Sequence, residues 1–259
     1  MPYRPTTARK SEDKKDSVYW DYWEEMVKAS VWRETKELPA IAEAAEIKGK
    51  HVMDVGCGPG RLILPFSMLA QTITAVDESD WVIKVVNKLI KDHRLNNVQV
   101  AQAPLVGLPF DDSVSESTYC MWVIHHDKSR WDKIVKEMVR VTRAGSPIVV
   151  GFSSGDGELP KMEEVCKPAH VQKCKEFDVE FPKWCKEQEW SVEVKKVPLL
   201  FEFKSAEWAF EVFSNTFVRR DITNEQKAAL TAFLKQHMKD GKCVITQELR
   251  LYVIREPKD

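Results

Sequence analysis

Residues 48–60 constrain the fold of this 259-residue chain more than any other stretch. Residues 51–55 have the apolar character of a strand buried between helices. Gly56, Gly58 and Gly60 then predict a sharp turn, because glycine adopts positive φ and lets a ligand approach the backbone. The apolar run over 61–70 predicts a helix whose first N–H groups lack partners within the helix. This arrangement is typical of a dinucleotide site, a nucleoside site or a tight turn with no ligand.

Three details narrow these alternatives. Asp54 comes directly before the first glycine, and the glycines follow a G-x-G-x-G pattern. A dinucleotide site would show G-x-G-x-x-G, with a third glycine that packs the helix. A second predicted strand, 72–76, ends at Asp77, roughly 20 residues past the turn, where an acid would hold a ribose. A carboxylate accepts two hydroxyl donors at once, which suits a vicinal diol, although Asp77 also fits the N-cap of the next helix.

Five segments in order resemble motifs of the class I S-adenosylmethionine-dependent methyltransferases. They are DVGCGPG (54–60), VDES (76–79), LPFDD (108–112), VIHH (123–126) and RVTRAG (140–145). The subgroup that the chain resembles is the methyltransferase type 11 group, whose members mostly methylate small molecules.

The resemblance implies which residues bind S-adenosylmethionine and release S-adenosylhomocysteine. Asp54 would reach the amino end of the methionine part, Gln102 the adenine amino group, and Met121 and Trp122 would wall the pocket. Glu78 departs from the family, because relatives carry an apolar residue against the adenine there. The complete predicted set is Asp54, Gly56, Cys57, Gly58, Gly60, Asp77, Glu78, Gln102, Ala103, Met121 and Trp122.

Two further groups are candidates for chemistry and for the acceptor. His125 and His126 either shape the end of the fourth strand or supply a base near neutral pH. Residues 17–46 are predicted to be helical and carry an aromatic cluster near their start. That cluster either packs on the core or forms a lid, in which Tyr19 and Trp23 would contact the substrate.

Strands predicted at 51–55, 72–76, 98–102, 117–123 and 147–152 alternate with helices at 61–70, 80–93 and 129–142. This alternation predicts an α/β fold: a Rossmann-like, seven-stranded doubly wound sheet, mostly parallel, with helices on both faces. The last strand, 243–255, would be antiparallel. We expect a flexible tail at 1–16 and one domain over 17–259, with lid helices at 17–46 and an inserted cap at 153–190.

Composition excludes several classes of protein. The formal net charge of −1 gives no bulk attraction to nucleic acid or anionic membranes. No apolar run is long enough to span a bilayer, and the N-terminus lacks a signal-peptide core. Six cysteines without a CxxC pair predict reduced thiols and a cytoplasmic protein. Cys166, His170 and Cys174 have helical spacing for a soft metal, but Pro168 interrupts the helix, so packing thiols and no metal are predicted.

The sequence therefore predicts transfer of a methyl group from S-adenosylmethionine to a small-molecule acceptor by in-line displacement. One alternative keeps the donor but methylates a protein or a tRNA, through a basic stripe at Lys161, Lys167, Lys173, Lys175 and Lys183. Another is a scaffold that binds the donor without turnover. An oxidoreductase with a dinucleotide is disfavoured by the glycine spacing. The acceptor and the oligomeric state do not follow from the sequence.

Overall fold

A computed structural model describes residues 14–124, 129–218 and 222–257, with side chains from residue 21 onward. In these ranges the helices are α1 (Lys14–Ala29), α2 (Leu38–Ala44), α3 (Ile63–Ser67), α4 (Asp80–His93), α5 (Trp131–Val141), α6 (Glu158–Cys166), α7 (Pro168–Glu187), α8 (Ala206–Phe213) and α9 (Asn224–Gln236). The strands are β1 (His51–Val55), β2 (Thr72–Asp77), β3 (Val98–Gln102), β4 (Ser117–Met121), β5 (Ile148–Gly157), β6 (Ser191–Phe203), β7 (Met238–Lys239) and β8 (Lys242–Arg255). Two π-helical turns, Arg33–Glu37 and Ser214–Val218, precede α2 and follow α8.

The strands form one sheet in the order β3-β2-β1-β4-β5-β8-β6, and the two-residue β7 pairs with β8. Strands β1 to β5 run parallel, and β8 runs antiparallel to both β5 and β6. The predicted Rossmann-like sheet with an antiparallel last strand is confirmed. The strand order reverses beside β1, between β1 and β4, which is where ligands bind in open α/β sheets.

Helix α4 shows how the sequence sets an element that supports the site. Val82, Val86 and Leu89 recur at helical spacing and are all buried against the sheet. The Ser79 hydroxyl caps the first turn by accepting from the Val82 N–H at 3.4 Å. Arg94 ends the helix in the left-handed region, so the observed bounds equal the predicted 80–93.

Helix α3 and strand β4 are shorter than predicted. Helix α3 covers only Ile63–Ser67 within the predicted 61–70, because the chain is still in turns at residues 61 and 62. Strand β4 ends at Met121 and not at residue 123. The reason is Trp122, whose φ of +65° is incompatible with a strand.

The loop over 108–112 is fixed by helix α5. Arg140 donates to the carbonyls of Leu108 at 2.9 Å and Phe110 at 2.8 Å, and to Asp112 at 2.7 Å. Glu137 accepts from the Leu108 N–H at 2.7 Å. Two of the sequence motifs are thus one structural unit, in which an arginine on one holds the backbone of the other.

The region predicted as a cap, 153–190, contains the end of β5, α6 and α7. Helix α7 packs an aromatic face on the sheet, where Phe177 lies 4.5 Å from Phe152 and Phe181 lies 5.2 Å from Tyr252, between ring centroids. Asp178 accepts from the Tyr252 hydroxyl at 2.6 Å and fixes the helix to β8. The division of the chain into a lid, a domain and a cap stays a prediction.

Helix α1, near the N-terminus, packs against elements from the C-terminal half of the chain. It contacts β6, α8 and the π-helical turn Ser214–Val218, and it buries Met26 and Ala29. Directly after it, the Val31 N–H donates to the Leu200 carbonyl at 2.9 Å, so the end of the helix is tied to β6.

All six cysteines lie in the described ranges, and all are buried thiols that form no disulfide with another described residue. His170 Nε2 lies 3.8 Å from Cys174 Sγ, but no cluster of three or more metal-ligating side chains occurs among the described residues. Burial raises the pKa of the Cys174 thiol to about 12, which favours the neutral packing thiol that was predicted. Within the described ranges, no helix has both the length and the apolar character that crossing a membrane requires.

Candidate functional site

The turn after β1 needs its glycines for different reasons. Gly56, Gly58 and Gly60 have φ of +78°, +51° and +86°. A Cβ on Gly56 would lie 2.5 Å from Val123, and one on Gly60 would lie 2.8 Å from a Leu89 methyl carbon. A Cβ on Gly58 would meet no atom of the described residues within 4 Å. Gly56 and Gly60 are therefore required by packing as well as by φ, whereas Gly58 borders open space.

Asp54 is the buried acid of the site. Its side chain lies at the end of β1, only 2% of the residue is exposed, and Oδ2 has no hydrogen-bond partner among the described residues. The Tyr119 hydroxyl lies near the carboxylate but does not reach full hydrogen-bond geometry. Burial raises the pKa of Asp54 to about 7. Asp54 is thus suited to pair with a cationic or strongly donating ligand group.

Asp77 ends the neighbouring strand and faces the same turn. Its two carboxylate oxygens accept from the Gly58 N–H and the Ser79 N–H, each at 3.0 Å. Burial raises its pKa, and the two N–H groups oppose that change. The N-cap of α4 is Ser79, so the alternative of Asp77 as a simple cap is wrong. Each oxygen retains a lone pair that can accept from a ligand hydroxyl.

The residues predicted around an adenine are positioned by one another. The Gln102 amide nitrogen donates to the Glu78 carbonyl at 3.2 Å, and the Ala103 N–H donates to the Asp77 carbonyl at 3.1 Å. The Glu78 carboxylate accepts from the Leu105 N–H at 2.9 Å and also pairs with an arginine at the start of α5. Glu78 therefore braces the loop after β3, which accounts for an acid where relatives have an apolar residue.

Met121, Trp122 and Cys57 complete the predicted set. Met121 is buried and packs against Gly151, where an added Cβ would lie 2.3 Å from the methionine Cε. Trp122 holds its left-handed backbone with a 2.7 Å bond from its N–H to the Gly151 carbonyl. Its indole Nε1 is buried without a hydrogen-bond partner among the described residues. Cys57 is buried in the turn, and burial raises the pKa of its thiol.

A pocket of about 380 Å³, counting its open mouth, lies next to this turn. Its apolar lining comes from α1, β6 and the second π-helical turn: Trp23, Met26, Val27, Leu199, Phe201 and Phe217. Its polar lining is Ser30, Arg33, Glu37, Arg61, Trp122 and Gln247.

The charged part of this pocket was missed in the sequence. Arg33 and Glu37 are 5% and 2% exposed, and Arg61 Nη1 lies 2.7 Å from Glu37 Oε1. Arg33 Nη2 donates to the Arg61 carbonyl at 2.9 Å, so the first π-helical turn is joined to the residue after the glycines. The only sequence feature that could have indicated this cluster was the charge of Arg61 at the start of an apolar run. Nothing in the sequence brings residues 33 and 37 to that position.

The remaining predicted residues divide into three cases. Trp23 lines the pocket, with its ring 6.2 Å from that of Phe217. Tyr19 belongs to α1, but its side chain is outside the described part of the chain. His125 and His126 lie outside the described residues, so a base at this position stays a prediction.

The lysines proposed as a basic stripe are interleaved with acids. Lys175 lies 3.6 Å from Glu164, and Lys183 lies 3.9 Å from Glu187. Lys167 donates to a backbone carbonyl, that of Phe217. Three of the five cations are thus engaged within the protein, which weakens the case for a nucleic-acid surface.

Comparison with known proteins identifies the region that contains the turn. Residues 52–145 match a family model described as a methyltransferase domain. The uncharacterized methyltransferase YcgJ of Bacillus subtilis is 30% identical over 114 residues, which cover 44% of this chain and 45% of that protein. The O-methyltransferase resE of Aspergillus sclerotiorum is 26% identical over 161 residues, 58% of either chain. The chain therefore spans about half the length of these curated relatives.

Solved structures agree on the fold. The crystal structure of YcgJ superposes with a TM-score of 0.61 at 16% identity, over 86% of this chain and 98% of that one. A phosphoethanolamine N-methyltransferase 2 of Haemonchus contortus superposes with a TM-score of 0.55 at 16% identity, over 86% of this chain and 52% of that one. At these identities the likeness shows a shared Rossmann-like fold and nothing about ligands.

Proposed function

We propose that this chain, whose residues 52–145 form a methyltransferase domain of the Rossmann-like class I type, transfers a methyl group from S-adenosylmethionine to a small-molecule acceptor. The observation that carries the proposal is the Asp54 carboxylate, buried with an unpartnered oxygen beside a glycine turn that is open at Gly58. Such an acid needs a cationic partner, and the α-ammonium group of the donor is one.

The described residues offer a partner or a space for each part of the donor. Asp54 would hold the ammonium group, and the open backbone at Gly58 leaves room for the methionine chain. Asp77, with a lone pair left on each oxygen, would accept from the two ribose hydroxyls. Gln102 and Ala103 would border the adenine. A structure of the Haemonchus contortus enzyme contains S-adenosylhomocysteine, which supports a donor site in this fold.

When bound, S-adenosylmethionine supplies an activated sulfonium methyl group. The contribution of this chain is to orient the acceptor in line with that group and to exclude water. Trp122 belongs to the predicted donor set and also lines the pocket that contains Trp23 and Phe217. We therefore place the acceptor in that pocket, beside Trp122.

The named relatives do not agree on an acceptor. One is a fatty-acid O-methyltransferase of Mycolicibacterium smegmatis, and the Haemonchus contortus structure contains phosphomonomethylethanolamine. The pocket composition of this chain is the better guide, because the lining residues 23–37 and 199–247 lie outside the matched region 52–145.

Calorimetry with S-adenosylmethionine, S-adenosylhomocysteine and NAD tests the donor assignment. We expect both sulfur nucleosides to bind and NAD not to bind. Binding of NAD alone would refute the assignment. Turnover, measured as release of S-adenosylhomocysteine over a panel of small acceptors, then separates an enzyme from a scaffold that binds without turnover. A protein or tRNA acceptor would show turnover with cell extract that protease or ribonuclease treatment removes.

A further inference from the structure

Three side chains that line the pocket beside the glycine turn each have a hydrogen-bond donor atom without a partner among the described residues. These atoms are Arg61 Nη2, Trp122 Nε1 and Ser30 Oγ, and each atom is buried. They come from three separate segments, the end of the glycine turn, the end of β4 and the end of α1. A buried donor left without an acceptor costs about 1–3 kcal/mol, so three in one pocket indicate a ligand that brings acceptor atoms.

The charged lining of the pocket consists of two arginines and one glutamate. Arg33 and Arg61 supply two guanidinium groups, and Glu37 is the one buried carboxylate among the lining residues. The carboxylate that pairs with Arg33, Glu34, has a side chain that is 61% exposed. Burial, together with the neighbouring Arg61, lowers the pKa of Arg33. Arg61 is therefore the guanidinium group in the pocket that can offer a hydrogen bond to an anion, through Nη2, which has no partner among the described residues.

The rest of the lining is apolar and aromatic. Trp23 and Phe217 face each other at 6.2 Å between ring centroids, and Leu199 and Phe201 come from β6. A ligand that fills this part gains by burying apolar surface. The pocket therefore has a charged, donor-rich end near the glycine turn and an apolar end under α1.

We propose that the acceptor is a small organic acid, held by its carboxylate or phosphate at Arg61, Trp122 and Ser30, with an apolar body under α1. This inference rests on the proposed function. Trp122 is the one residue shared by the pocket lining and the predicted donor set. The carboxylate of the donor is the competing occupant of Arg61, because it is on the same carbon as the ammonium group assigned to Asp54, and Asp54 interacts electrostatically with Arg61.

Titration with matched pairs of an acid and a neutral compound tests whether the pocket prefers an anion. The full chain, with and without saturating S-adenosylhomocysteine, is titrated with indole-3-acetate, decanoate and phenyl phosphate, and with the neutral partners indole-3-acetamide, decanamide and phenol. We expect at least one acid to bind about 10-fold or more tightly than its neutral partner, the preference of a charge-assisted hydrogen bond. Equal or tighter binding by every neutral partner, or no binding by any acid, would overturn the proposal.

Two variants test whether the pocket residues cause the preference for the acid. Arg61→Ala would leave Glu37 buried and unpaired, so Arg61→Lys and Trp122→Phe are used, which keep the charge and the ring. We expect each to lower the affinity for the acid several-fold and to leave the affinity for the neutral partner unchanged. Arg143→Lys is the control, since Arg143 is 52% exposed and pairs with Glu116 outside the pocket. An acid preference that survives both pocket variants would overturn the proposal.

A last comparison separates the donor from the acceptor. S-adenosylhomocysteine and its analogue without the carboxylate are titrated into the wild type and the two variants. We expect the variants to change both affinities equally. If they weaken only the parent compound, the anion site belongs to the donor, and the inference is wrong while the proposed function stands. If neither compound binds, the proposed function fails, and the acid preference is still decided by the titrations without nucleoside.

Discussion

Replacing Asp54 with asparagine should stabilise the protein without ligand at high pH and weaken its donor binding. Burial raises the Asp54 pKa from an ordinary 3.8 to about 7. At 1.36 kcal/mol for each pKa unit, the ionised form costs the folded protein about 4 kcal/mol relative to an exposed carboxylate. Relaxation around the charge lowers this value, so we expect a gain of about 2–4 kcal/mol for Asp54→Asn at pH 8.

The sign of the pH dependence follows from linkage. A group with a raised pKa in the folded state binds its proton more tightly there than in the unfolded chain. Its favourable contribution is complete below the unfolded pKa and is lost as pH rises through the folded pKa. The wild type should therefore lose stability relative to Asp54→Asn between about pH 4 and pH 7. Above pH 8 the difference should be constant.

Urea unfolding of both proteins at pH 5, 6, 7 and 8, monitored by circular dichroism, measures this difference. Calorimetry at pH 8 should show that Asp54→Asn weakens S-adenosylhomocysteine binding about 10-fold or more, because a hydrogen bond to a charged group contributes about 1.5–3 kcal/mol. A stability difference that does not vary with pH would refute the raised pKa. Unchanged nucleoside affinity would show that Asp54 does not contact the ligand.

Three further expectations concern the same site. Gly60→Ala should lower the free energy of unfolding, measured by urea titration, by about 1–3 kcal/mol, because residue 60 has a φ of +86° and its new Cβ would lie 2.8 Å from Leu89. Gly58→Ala should lower the free energy of unfolding by less, but should weaken nucleoside binding by more. Asp77→Ala should weaken S-adenosylhomocysteine binding by about 1–3 kcal/mol in calorimetry with an unchanged circular dichroism spectrum; an unchanged affinity would leave it only a brace for the turn. Hydrogen exchange over 17–34 should slow when S-adenosylhomocysteine is added, whereas slow exchange without ligand would identify fixed core and contradict a lid.

The parallel half of the fold could be predicted because its signals are local. The bounds of β1, β3 and α4 equal the predicted ones, since each is set by its own apolar period and by neighbouring turn or cap residues. Strand β4 was predicted two residues too long. Trp122 has no sequence signal for a positive φ, and its conformation depends on a hydrogen bond to Gly151 on the next strand.

The candidate site likewise has features that the local sequence predicts and features that depend on contacts between distant segments. Asp54 and Asp77 end adjacent parallel strands, so their proximity follows from the strand pattern alone. The role of Glu78 could not be predicted, because its partners lie on the loop after β3 and on α5. The Arg33, Glu37 and Arg61 cluster depends on a π-helical turn that packs beside the glycine turn, a contact between segments more than 20 residues apart.

Under the proposed function, the recognition of donor and acceptor is encoded in different parts of the chain. The predicted donor residues lie within 54–122, inside the region that matches the methyltransferase family. The walls of the adjacent pocket come from α1, the first π-helical turn, β6 and β8, all outside that region. Arg61 and Trp122 are the lining residues inside it, and each connects the two sites. Sequence similarity over 52–145 thus argues for methyl transfer, and the acceptor has to be inferred from the ends of the chain that enclose the pocket.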